Sequence, residues 1–137
     1  MKFFNKKGFA RYQTADDQMD WKRLWGDYGK HLASIRHQLS PSWQQLAEAD
    51  FHDHAIISVD QPSKREFIMD LEEAKLTFTG VKFLWAPKSV VGDCWVYWEV
   101  SPSDEGGIDL EVRLAHDEIR IIADEVSIEK HRRKTAA

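Results

Sequence analysis

A single cysteine, Cys94, stands in the 137 residues, and that scarcity excludes an internal disulfide framework and any multi-cysteine zinc site, because both need several thiols. The lone thiol is expected to be buried and inert. No run approaches the roughly 18 apolar residues of a membrane-spanning helix. The opening "MKFFNKKGFARYQ" has charges scattered through it, without the continuous apolar stretch of a secretory signal. These absences predict a cytoplasmic protein with no membrane partner. No internal repeat is visible, and neither a GxGxxG nor a P-loop spacing offers a phosphate cradle. No cofactor is therefore expected. Ser58, Ser89, Ser101, Ser103 and Ser127 all lack the glycine context of a nucleophile elbow.

What is present suffices for one core. With 42% hydrophobic and 12% aromatic residues, the chain is expected to form a single domain over residues 1–137. Its net charge of −4 conceals an uneven distribution. Residues 1–11 and 130–137 hold eight of the 19 basic residues and no acid, which leaves 11 against all 23 acids, a net −12 over residues 12–129. An acidic body repels phosphate backbones and attracts basic partners. Nucleic acid is thus an unexpected partner for the body, and the basic tail at 130–137 reads as a solvated extension. The oligomeric state is not legible.

The segment 14–49 reads as the helical part. Trp21, Leu24, Trp25, Tyr28, Leu32, Ile35 and Leu39 recur at three- and four-residue steps, which predicts one long amphipathic helix. Thr14 would cap its first turn while Asp17 reaches back. Gly26 and Gly29 each weaken a helix interior by about 1 kcal/mol relative to alanine. Ser40 followed by Pro41 stops that helix and starts a short second one, "SWQQLAEA".

From residue 55 to 129 the period changes to two. Six strands are expected: "AIISVD", "REFIMDL" after a "QPSK" turn, "LTFTGVKFLW" with a bend at Gly80, "CWVYWEV", "IDLEVRLA" and "IRIIADEVSIEK". Their short connections argue for an antiparallel meander, and the class is α+β. "CWVYWEV" is bulky on both faces, as a central strand covered twice would be, or one whose outer aromatics serve an interface. In "IDLEVRLA", Asp109, Glu111 and Arg113 form one wet face.

Two groups of residues are candidates for chemistry. His52 and His54 flank Asp53 in "FHDHAIISVD". On extended backbone the two imidazoles would share a face and, with His116 as a third donor, could hold a metal ion. The alternative is turn chemistry at a helix-to-strand junction. The second group is Glu99, an acid inside an aromatic strand, beside Trp98. With Asp104 and Glu105 in the following loop and Asp109 and Glu111 on the next strand, they compose an acidic, aromatic sheet face suited to a basic protein partner. No base, nucleophile or oxyanion donor accompanies Glu99, so no catalytic residue is assigned. A third possibility is a small-ligand pocket between the long helix and a curved sheet, where Gly26, Gly29 and Gly80 would relieve crowding.

Taken in order, "MKFFNKKGF", the aromatic-bearing helix, "FHDHAIISVD", "KLTFTGVKFL", "WVYWEV" and "IRIIADEVSIEK" resemble a family of small bacterial proteins grouped as a domain of unknown function. That resemblance implies an α+β fold and no assigned activity. In size and sheet-rich layout the chain is also similar to immunity proteins that neutralise secreted bacterial toxins. The leading expectation is accordingly a non-enzymatic module that binds a basic protein in an immunity or inhibitor role; the alternatives are a metal-binding protein or small metal-dependent enzyme using His52, Asp53 and His54 with His116, and a small-ligand carrier.

Overall fold

A computed structural model of the chain describes residues 1–16 and 18–131. The reach-back expected of Asp17, and Arg132, Arg133 and Lys134 of the basic tail, lie outside those residues. The helices are α1 (Lys6–Arg11), α2 (Trp21–Ile35) and α3 (Pro41–Glu48), followed by β1 (Ile56–Ser63), β2 (Glu66–Leu71), β3 (Ala74–Thr79), β4 (Phe83–Trp85), β5 (Trp95–Pro102), β6 (Ile108–Leu114), β7 (Glu118–Ala123) and β8 (Glu125–Lys130). The chain is α+β, with antiparallel strands throughout the named pairs. Among the described residues no helix is long and apolar enough to cross a membrane.

The long helix begins at Trp21, the first of its apolar positions, and so later than a cap at Thr14 predicts. Thr14 does not cap it. The Thr14 N–H donates to Gln18 O at 2.7 Å and the Gln18 N–H returns to Thr14 Oγ1 at 3.3 Å, closing a tight loop across which Gln13 bridges Met19. Asp20 is the cap instead, its carboxylate accepting the Arg23 N–H at 3.1 Å. This satisfies one of the amides that a helix start leaves without a partner. At the other end a 3-10 turn over Arg36–Gln38 closes the helix, and Ser40 caps α3 with Pro41 in its first turn, as the Ser-Pro pair implies.

Six stretches of strand become eight because two of them bend into separate sheets. One sheet has the order β1-β2-β3-β8 and the other β4-β7-β6-β5. β3 ends at Gly80, whose φ of +64° suits glycine, and a Cβ there would fall 2.4 Å from Asp124 Oδ2. Asp124 separates β7 from β8, and its N–H donates to Thr79 O and Gly80 O at 3.1 and 3.2 Å. The β3–β4 and β7–β8 stretches therefore form one two-stranded ribbon folded at a shared corner. Lys82 Nζ reinforces it, 3.0 Å from Asp124 Oδ1. On the opposite side an isolated bridge, Ala55 to Cys94, joins the approaches to β1 and β5.

Two smaller expectations change. β1 runs on through Gln61 and Pro62, so the turn falls at Lys64 and Arg65; proline is tolerated there because β1 is the edge of its sheet. β5 is likewise an edge strand, not a central one. Its bulk on both sides is explained by what covers it.

One face of β5 joins the main core. Trp95 and Val100 pack there with Leu110, Val112 and Ile121 of its own sheet, Met69, Leu76 and Phe78 of the other, and Trp43 and Leu46 of α3. The second face meets a separate cluster of Phe3, Phe4, Tyr12, Leu24 and Tyr28, with Tyr97 packed against it. The N-terminal segment and α2 thus supply the layer that a neighbouring sheet would otherwise provide. Of the helical tryptophans Trp43 is buried, whereas Trp21 and Trp25 are 41% and 50% exposed; Trp85 on the β4 edge is 56% exposed. Cys94 is half-buried, not fully enclosed.

Candidate ligand-binding pocket

Where α2 lifts away from the outer edge of β5, a cavity of about 440 Å³ remains. α2 contributes Trp25, Tyr28, Gly29 and Leu32, positions spaced three and four apart that share one face of the helix. The end of α3 adds Ala47 and Glu48, the linker that follows adds Ala49, Asp50 and His52, and β5 adds Val96, Tyr97 and Trp98. The volume lies within the roughly 300–1,000 Å³ of small-molecule sites.

The polar ends of the two innermost aromatics are already engaged. Trp98 Nε1 donates to Leu46 O and the Tyr28 hydroxyl donates to Trp98 O, both at 3.2 Å. Their rings are thereby fixed, and they present apolar surface to the cavity. Burial, and secondarily the Glu99 carboxylate, raises the Tyr28 phenol above the ordinary tyrosine value, which keeps it a neutral donor. Tyr97 is held from outside by Phe4, stacked on it with ring centroids 4.9 Å apart, and Phe4 also tilts against Trp25 at 4.9 Å. Gly29 leaves one wall low: a Cβ there would meet no atom within 4 Å. Of the other two glycines expected at such a pocket, Gly26 does not line it and Gly80 serves the ribbon corner.

The acidic sheet face is largely occupied by the chain itself. The Glu99 carboxylate is buried and accepts the N–H groups of Lys2, Phe3 and Phe4 at 2.8, 2.6 and 2.6 Å. Glu111 meets the Met1 amine. Asp109 accepts Arg120 Nη2 and Nε at 2.8 and 3.2 Å. Trp98 points to the α3 side, toward Phe51 and Trp95, so it does not stand beside these acids. Asp104 and Glu105 are exposed at the tip of the β5–β6 hairpin, beyond the paired strands.

The histidines are not brought together. Residues 52 and 53 form a turn in which Asp53 has φ +67°, and the backbone is not extended there. His52 Nδ1 pairs with Asp53 at 3.1 Å and its ring nears Tyr97, whereas His54 Nε2 lies 3.7 Å from Glu73. His116 sits on the β6–β7 hairpin with Nδ1 3.2 Å from Asp93 Oδ1. Among the described residues no group of three or more His, Cys, Asp and Glu side chains is placed to hold a metal ion.

Asp93 has a structural role that its sequence context gives no hint of. Buried, it also accepts the N–H groups of Cys94 and His116 at 2.9 and 3.1 Å. Desolvation pushes its pKa upward, but these hydrogen bonds and the His116 ring outweigh that, and the net shift is downward.

Residues 5–117 match the family described as "Protein of unknown function (DUF4085)". No curated protein and no solved structure matches the chain.

Proposed function

Because the chain belongs to that family of proteins of unknown function, whose description assigns no activity, we propose from its geometry that it is a small-ligand-binding protein. The site is the helix–sheet cavity. The observation that carries this reading is the cavity's composition: walls of Trp25, Tyr28, Leu32, Val96, Tyr97 and Trp98, with charged groups confined to Glu48, Asp50 and His52. Apolar walls with a few polar groups are what a small organic molecule requires for burial and orientation. This is the small-ligand carrier of the sequence analysis, preferred to the module for a basic protein partner. Glu99, Asp109 and Glu111 already have partners within the chain, which leaves the sheet face less charge to offer a basic protein.

The reading is tested by titrating small aromatic and aliphatic molecules into the protein and following tryptophan fluorescence, since Trp25 and Trp98 line the cavity. A saturable change is expected, and it should disappear in Gly29→Leu, whose side chain enters space that is open in the parent. Equal binding by a folded Gly29→Leu protein would remove the cavity from consideration.

A further inference from the structure

We infer that the ligand of this cavity is an organic cation, an amine or quaternary ammonium carried on an apolar body; the inference rests on the ligand-binding reading above. Three features of the cavity converge on it. Among the described residues the lining charges are two carboxylates, Glu48 and Asp50, against the imidazole of His52, with no lysine or arginine in the lining. The imidazole of His52 is turned to another acid, its Nδ1 3.1 Å from Asp53 Oδ2. Both carboxylate-bearing residues are exposed at the mouth.

The second feature is the end of α3. Ala47, Glu48 and Ala49, its last turn and C-cap, all line the cavity. A helix C-terminus carries partial negative charge on its unpaired carbonyls, which favours a cation nearby. The third is the aromatic wall. Trp25, Tyr28, Tyr97 and Trp98 surround the same space, and aromatic rings attract a cation through their quadrupole, most strongly where the cation is shielded from water. An anionic ligand would meet all three features with the wrong sign. A neutral ligand would gain from the walls alone. The apolar body would lie against Leu32, Val96 and Trp98, with the cationic head toward Glu48 and Asp50.

The test uses three probes of one size: phenyltrimethylammonium, its neutral isostere tert-butylbenzene, and benzenesulfonate. Each is titrated into the full chain by calorimetry at pH 8 and low salt. The ammonium is expected to bind at least about tenfold more tightly than the neutral isostere, a difference of about 1.4 kcal/mol, and the sulfonate more weakly than either. In a Glu48→Gln, Asp50→Asn double variant the preference for the ammonium over tert-butylbenzene should fall severalfold. Equal binding of the ammonium and its isostere, or a double variant that keeps the full preference, would overturn the cation assignment and leave the cavity reading standing. Failure of all three probes to bind would overturn both.

Discussion

Replacing Glu99 by alanine examines how the outer layer over β5 is held. Its carboxylate takes three backbone N–H groups, from Lys2, Phe3 and Phe4, at 2.6–2.8 Å. If the segment stayed in place, each stranded amide would cost about 1–3 kcal/mol, roughly 3–9 kcal/mol together. If it peeled away, Phe3 and Phe4, both buried, would be exposed at about 2–3 kcal/mol each. Peeling also restores backbone freedom worth about 1–2 kcal/mol per released residue, which nearly cancels that exposure over residues 1–4. The segment is therefore expected to detach while both sheets persist, with a loss of about 1–3 kcal/mol in global stability. Amide hydrogen exchange should show Lys2, Phe3 and Phe4 losing protection while β2, β3 and β6 keep theirs, and urea titration should give the smaller global change. Pocket affinity should fall as well, because Phe4 braces Tyr97 and Trp25. Retained protection at residues 2–4 in the alanine variant would refute the clamp. Simultaneous loss of protection in the sheets would refute the separability of that layer.

Gly80→Ala should destabilise the protein by about 2–4 kcal/mol in urea titration, because the positive φ disfavours any Cβ and the corner packs Asp124 against it. Gly26→Ala should do the reverse, adding about 0.5–1 kcal/mol of helix stability, since its Cβ would enter open space. For Asp93 the folded carboxyl has a pKa below its ordinary 3.8, so its contribution is present above that value and is lost as pH falls through the lower, folded one. Thermal melts of the parent and Asp93→Asn should accordingly be furthest apart above pH 5 and converge on acidification below 4; a gap that does not narrow would contradict the assignment.

Much of the architecture was legible because it rests on local signals. Ser40-Pro41 marked a helix boundary, and strict alternation in "IDLEVRL" marked β6 with Ile108, Leu110, Val112 and Leu114 facing inward. What misled was long-range. The apolar alternation of Ile119, Ile121 and Ala123 shifts phase to Val126 and Ile128 across Asp124-Glu125, but it takes the approach of Gly80 from 44 positions earlier in the sequence to turn that shift into a corner between β7 and β8. The bulk of β5 on both faces is legible in "WVYWEV", but its cause is not, since nothing in those residues states that residues 1–4 lie over them. The site followed the same rule. Trp25, Tyr28, Gly29 and Leu32 could be grouped by helical spacing, whereas the contribution of Tyr97 and the loss of Glu99 to an internal clamp depended on tertiary placement. Two histidines two residues apart suggested a shared face only on the premise of extended backbone, which the left-handed Asp53 removes.

The folded ribbon also governs the order in which the protein can be completed during synthesis. β3 pairs along its length with β8, from Ala74 opposite Lys130 to Thr79 opposite Glu125, and β4 waits for β7 in the same way. Until about 50 further residues have emerged, the nascent β1-β2-β3 sheet presents an unpaired edge, which invites pairing with other chains. Closing that edge is a high-contact-order event and should be slow. Shortening the chain before residue 125 would remove β8 and leave the β3 edge of its sheet unpaired, so a nascent or truncated form is the species most in need of a chaperone.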